Sequence, residues 1–478
     1  MSSHDGSQGK LKAGAIGSWG AAALGAVMMA PALGIYANLG MISAYSGEVA
    51  PAAFLLALAC TLPTAISYAQ IAREIPSAGS AYSWLSESVS PIVGLWVGLL
   101  LVATYFFAVV LQPILFGLFF NELLVALFHV QVGYGTWMAG VLLSTAIVAL
   151  LAYPGIQISA KSSIVLMIVE LGVVLTLACS ILAVLWLHGQ VRWAPFNPVN
   201  SLHSFHGFFA GLVFALLSFV GFGVITTAAE ETQAPRSVIP RVMVQACVLL
   251  GVFWSFTSWG FCLALQPEAW SKYVGRGINP VAVVARMYWQ GGYIVVILTA
   301  ITAVLGVYLA SMVGYARVAY AMGRDGTLPA WLGQLHPKYQ VPWNAQHIVL
   351  LATLGAAAAW GRWVGLYLSY DWWGTTVVLF AMIANIFVNV GCAVFFYRFQ
   401  HAQFSRWWHG FVPLVGIITS FLPLYYCFGA DLWNAGWKKG QSIILFCLII
   451  VVGSIVYTLA VRRLKPEALR TSAKSTRP

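Results

Sequence analysis

The stretch MMAPALGIYANLG, Met28–Gly40, lies inside an apolar run long enough to cross a bilayer, yet it carries a proline and two glycines. Pro31 removes a helix hydrogen bond and crowds the preceding turn, and Gly34 lets the backbone bend. A break at membrane depth frees N–H and C=O groups that lipid cannot satisfy, so it is tolerated only where it is buried in protein or lines a cavity. A second stretch, LSFVGFGVITT, Leu217–Thr227, has the same character: Ser218, Gly221 and Gly223 loosen it, with Thr226 and Thr227 just beyond.

Of 478 residues, 60% are hydrophobic and 8% charged, against about one quarter charged in soluble domains. The chain reads as all-α and integral to a membrane. Apolar runs predict twelve transmembrane helices at about 16–43, 49–71, 91–125, 136–154, 163–187, 206–229, 240–265, 291–322, 345–366, 371–397, 410–430 and 441–461. The ninth, interrupted by Arg362, is the weakest. The polar start MSSHDGSQGKLKAG does not read as a cleaved signal, so the first helix is expected to be retained. The seven cysteines lie in apolar runs without a CxxC or Cys/His pattern, and the nine histidines sit near span ends, in loops or in the tail. Neither disulfides nor a metal site is expected, and no cofactor.

Net charge is +11, but the basic residues are scattered and form no nucleic-acid patch. With both ends in the cytoplasm, seventeen Lys and Arg fall inside and seven outside, as the positive-inside rule prefers. A multi-pass cytoplasmic-membrane protein with both termini inside is therefore expected.

The two breaks are five helices apart, at corresponding positions of two five-helix halves. Paired interruptions of this kind point to the binding site of an inverted-repeat transporter. Glycine and proline are also common in membrane helices, and small residues spaced by four, such as Gly17, Ala21 and Gly25, serve close packing.

Three longer motifs bear on that choice. TAISYAQIAREIPSAGSAYSWLSESVSPIVGLWVGLL, residues 64–100, carries Arg73, Pro76, Gly79, Tyr82, Pro91 and Gly94. AAEETQAPRSVIPRVM carries Glu230, Glu231, Thr232, Pro235, Ile239 and Pro240, and ARVAYAMGRDGTLP carries Arg317, Tyr320, Arg324, Asp325, Gly326 and Pro329. In this order, over about residues 15–430, they resemble the amino acid/polyamine/organocation (APC) transporter superfamily. The resemblance implies a LeuT-like five-plus-five inverted repeat followed by two extra helices. The corresponding division is a tail at 1–15, a transport core at 16–400 with halves at about 16–190 and 205–400, two further helices at 405–462, and a tail at 463–478.

It also implies a substrate held between the broken first and sixth helices. An amino acid carboxylate would meet N–H groups of Ala30, Pro31, Ala32, Leu33 and Gly34 (proline itself offering none), and its ammonium the carbonyls of Ser218, Phe219, Gly221, Phe222 and Gly223. Leu33 departs from the small residues usual in that family, and Gly223 stands where many relatives have an acid. A polyamine would want that acid. Tyr36, Tyr105, Phe106 and Phe107 are expected to shape the pocket, with Trp372, Trp373 and Thr376 as weaker candidates.

Glu170 falls fifteen residues after Gly155, where the family commonly has a lysine near the inner part of the first helix. A carboxyl group there can take up and release a proton as access alternates, or be a carboxylate satisfied by its neighbours. Sodium coupling would need oxygens from the first, fifth and eighth helices, and Ser311 is the hydroxyl on the eighth. Arg73, Glu230, Glu231, Arg324 and Asp325 form either remade ion pairs or ordinary surface pairs on the cytoplasmic side.

The expectation is a secondary transporter moving an amino acid by alternating access, as a proton-coupled symporter or an exchanger. The alternatives are an amine or polyamine importer, or a sodium-coupled symporter. A membrane enzyme would need clustered Asp, His or Cys at one interface and a channel would need rings of polar residues; the sequence carries neither.

Overall fold

The computed structural model describes residues 29, 31–152, 159–227, 229, 232–426 and 432–469. Every element among them is helical. Proline opens several spans at the position where its missing N–H costs nothing: Pro51 in the second span (Ala50–Glu74), Pro91 in the third (Pro91–Phe128) and Pro235 in the seventh (Pro235–Ala264). Ser90 caps the third by accepting from the Val93 N–H at 3.3 Å, and His129, in the left-handed region with φ 52°, ends it.

Ten described helices are long and apolar enough to cross a membrane. The ninth expected span forms a helix, Trp343–Trp363, but is not among the ten; Arg362 lies in its last turn. The first span begins outside the described residues and continues as a π-helix, Gly34–Leu39, running into Gly40–Ser46. The sixth is split into Ser204–Phe219, a 3-10 turn Val220–Gly223, and Val224–Thr227. Both interruptions expected from the sequence are therefore real departures from α-helix. Three short helices were not foreseen: Ala81–Ser88 between the second and third spans, and the pair Pro267–Gly275 and Pro280–Trp289 after the seventh.

Corresponding members of the two halves pack on one another. The first span meets the sixth, the second the seventh, and the third the eighth (Tyr293–Arg324). This pairing is what an internal repeat produces. The tenth (Leu366–Phe399) also packs along the third, and the last two spans, Arg406–Tyr426 and Ser442–Leu464, lie against its sides. The sixth span is 78% buried over its most apolar window and the twelfth 22%, so the broken helix is central and the last one faces lipid. The end bearing Ala81–Ser88 is called the tail end below, and the end bearing the two helices after the seventh span the hairpin end.

Candidate functional site

In the first break the Pro31 carbonyl accepts from Trp254 Nε1 at 2.7 Å. The Ala32 carbonyl accepts from the Ile35 and Tyr36 N–H groups at 3.1 and 2.8 Å. Gly34 exists because of that indole: a Cβ there would lie 2.3 Å from Trp254 Nε1. The ring is held between Phe54 and Phe219, with centroids 5.8 and 4.9 Å away. The Pro31 carbonyl, which the Ile35 N–H leaves for Ala32, is thus satisfied by protein. In the sixth break Thr226 Oγ1 donates to the Gly223 carbonyl at 2.6 Å and Thr227 Oγ1 to the Val224 carbonyl at 2.8 Å. The 3-10 turn between Phe219 and Val224 departs from the regular α-ladder.

Two chambers flank the breaks and share Tyr105 and Val220 as a partition. The hairpin-side chamber has an empty volume of about 590 Å³, mouth included, and is lined by Met29, Leu33, Ser218, Gly221, Gln112 and Ser311 among others. The tail-side chamber, about 400 Å³, is lined by Tyr68, Phe219, Phe222, Gly223 and Asn385 among others. Among the described residues no Asp, Glu, Lys, Arg or His lines either chamber.

Hydrogen bonds tie the helices on each side. Towards the hairpin end, Asn38 Nδ2 donates to Ser218 Oγ at 2.7 Å, Tyr370 OH donates to Asn38 Oδ1, and Tyr45 OH donates to Asp371 Oδ2 at 3.2 Å. These join the first span to the sixth and tenth. Towards the tail end, Tyr68 OH donates to Asn385 Oδ1 at 3.2 Å, and the Ser80 and Thr226 hydroxyls meet at 2.7 Å. Tyr82 OH also donates there to Asp325 Oδ2 at 3.0 Å.

The expected site residues divide accordingly. Leu33, Tyr105, Ser218, Gly221 and Ser311 meet in the hairpin-side chamber, and Phe219, Phe222 and Gly223 join Tyr105 in the other. Ala30, Glu230 and Glu231 lie outside the described residues. Pro31, Ala32 and Gly34 back the break without lining either chamber. Tyr36 is buried, and its hydroxyl meets Thr299 Oγ1 at 3.0 Å. Phe106 packs on Phe107 and Tyr315. Trp372 and Trp373 stack with Trp360 and Phe446 in a cluster away from the chambers.

Glu170 also sits elsewhere than expected. It is buried at the contact of the fifth and eighth spans, where Thr302 Oγ1 donates to its Oε1 at 3.1 Å. One turn away Thr299 meets Tyr36, on the hairpin side of the first break and not at the inner part of that helix. Ser311 is nine residues along the eighth helix from Thr302, about 13 Å, so these two expected coupling residues form no single cluster. Asn38, Gln112 and Tyr370 were missed. Their signal was present: lone uncharged polar side chains in long apolar runs, which membrane helices turn inward.

A helical chain crossing the membrane many times, with two interrupted spans beside two chambers, has the architecture of the LeuT-like fold. A mutant of the Eremococcus coleocola manganese transporter superposes with a TM-score of 0.56 at 11% identity, over 95% of this chain and 94% of that one, a likeness of fold alone. The sequence matches the amino acid permease family over residues 16–455, and the chain belongs to that family, within the APC superfamily. It is 25% identical to the low-affinity putrescine importer PlaP of Escherichia coli over 83% of this chain and 84% of that one. The branched-chain amino acid permease BcaP of Bacillus subtilis is 26% identical, over 90% of this chain and 89% of its own. The serine/threonine exchanger SteT of Bacillus subtilis is 26% identical over 65% of this chain and 69% of its own.

Proposed function

We propose that the protein is a secondary transporter carrying a net-neutral amino acid across the cytoplasmic membrane by alternating access, as a proton-coupled symporter or an exchanger. The observation that carries this reading is the charge-free lining of both chambers among the described residues, with helix breaks at their centre. Helix ends recognise an α-carboxylate and α-ammonium without side-chain charge. A doubly cationic amine would leave its second charge unpaired in the same cavity, at a cost of several kcal/mol. Gly223, at the position where an acid would serve an amine, supports the same choice.

Coupling is assigned to Glu170. Its support is a buried carboxyl group joined through Thr302 and Thr299 to Tyr36 of the broken first helix. Proton uptake at Glu170 would alter the Thr302 bond and, through Thr299, the seat of the first span. Among the described residues no hydrogen bond ties Ser311 to the Glu170 group, and proton coupling or exchange ranks above sodium.

The test is uptake into proteoliposomes of a labelled panel of amino acids and of putrescine, with and without a pH gradient and sodium. Saturable uptake of a neutral amino acid, with putrescine failing to compete, is expected. Uptake of putrescine alone would overturn the amino acid reading, and strict sodium dependence would overturn the coupling assignment.

A further inference from the structure

We propose that Gln112 is the selectivity contact for the substrate's side chain, and that the hairpin-side chamber takes amino acids whose side chains end in a hydroxyl or a carboxamide. This rests on the amino acid reading above. Gln112 is 5% exposed, lines the chamber, and its Oε1 is buried without a hydrogen-bond partner. Buried amide oxygens are almost always paired, so an unpaired one on a residue that lines a cavity calls for a partner brought by the ligand. The chamber's neighbouring side chains on the same helix, Ala108, Leu111 and Leu115, cannot supply one.

The chamber has two dissimilar walls. On the wall of the first, sixth and tenth spans, Asn38, Ser218 and Tyr370 satisfy one another, and Leu33 and Gly221 of the two breaks line the chamber. A substrate whose α-groups meet that wall turns its side chain towards the third and eighth spans, where Gln112 stands with Leu111, Leu115 and Val307, and with Tyr105 and Ser311 on the same lining. A carboxamide both donates and accepts. It therefore pairs with a hydroxyl or another carboxamide, and a methyl group in the same place leaves it unpaired. Among the described residues no charged side chain on the chamber lining answers a charged substrate side chain.

The experiment uses the full chain in proteoliposomes and compares near-isosteric competitors, threonine against valine and asparagine against leucine, for the wild type, Gln112→Met and Gln112→Leu. In the wild type the polar member of each pair is expected to compete about tenfold better. Both variants are expected to abolish that preference by raising the KM of the polar member while valine and leucine hold or improve. Gln112→Met, which keeps the length of the side chain, serves if Gln112→Leu does not reconstitute. Equal competition within the pairs in the wild type, or an unchanged preference in the variants, overturns the proposal while leaving amino acid transport intact. Absence of uptake of every amino acid overturns the parent reading, and this one with it.

Discussion

Glu170 shows how one side chain can be found in a sequence and misplaced by it. A carboxyl group in the middle of an apolar run is conspicuous, and so is the expectation that it serves coupling. Its neighbours are not legible, because they depend on how the fifth and eighth helices are rotated against each other. Thr302 decides the matter: its one hydroxyl proton is shared between the Glu170 carboxyl at 3.1 Å and the Thr299 backbone carbonyl at 3.0 Å, and the Thr299 side chain meets Tyr36 at 3.0 Å. Glu170→Gln keeps the shape and removes the exchangeable proton, so pH-gradient-driven accumulation is expected to be lost while exchange across the membrane persists. Accumulation equal to the wild type, measured in the same vesicles, would remove Glu170 from the coupling step. Gln112 and Asn38 have the same kind of history: their polarity was visible, their aim was not.

The first and sixth spans are discontinuous for different reasons. In the first, Pro31 and Gly34 make the break, and Trp254 from the seventh span fills it, donating to the very carbonyl that the bend exposes. In the sixth, a glycine-bearing 3-10 turn is stitched by Thr226 and Thr227. The sequence located both breaks because proline and glycine act locally. It could not say that part of the first break is used up inside the protein. Gly34→Val would drive a side chain into the Trp254 ring, which Phe54 and Phe219 hold in place, and overpacking of this kind costs about 1–3 kcal/mol. A lowered unfolding temperature in detergent is expected, with partial recovery in Gly34→Val combined with Trp254→Ala. Stability equal to the wild type would mean that the indole does not hold the break.

Orientation belongs to the chain taken together. The scattered excess of Lys and Arg favours a cytoplasmic tail end, and the helices after the seventh span then face outward. Lys272 in Pro267–Gly275 and Lys338 before the ninth helix are both exposed at opposite ends. In intact cells Lys272→Cys is expected to react with an impermeant maleimide and Lys338→Cys only after permeabilisation; the reverse labelling would invert the topology.

The sequence by itself determined the helical membrane class, the positions of the two interruptions, most spans to within a few residues, and the family. These follow from apolar run length, local backbone chemistry and contiguous motifs, none of which needs a three-dimensional arrangement. Only the packed structure decided which residues line the chambers, that Tyr36 pairs with Thr299 and Phe106 packs on Phe107, that Trp254 closes the break beginning at Pro31, and that Gln112 stands unpaired at the wall. The reason is physical. In lipid the outer face of a helix is as apolar as its inner face, so the hydrophobic period that separates inside from outside in a soluble helix is nearly silent here.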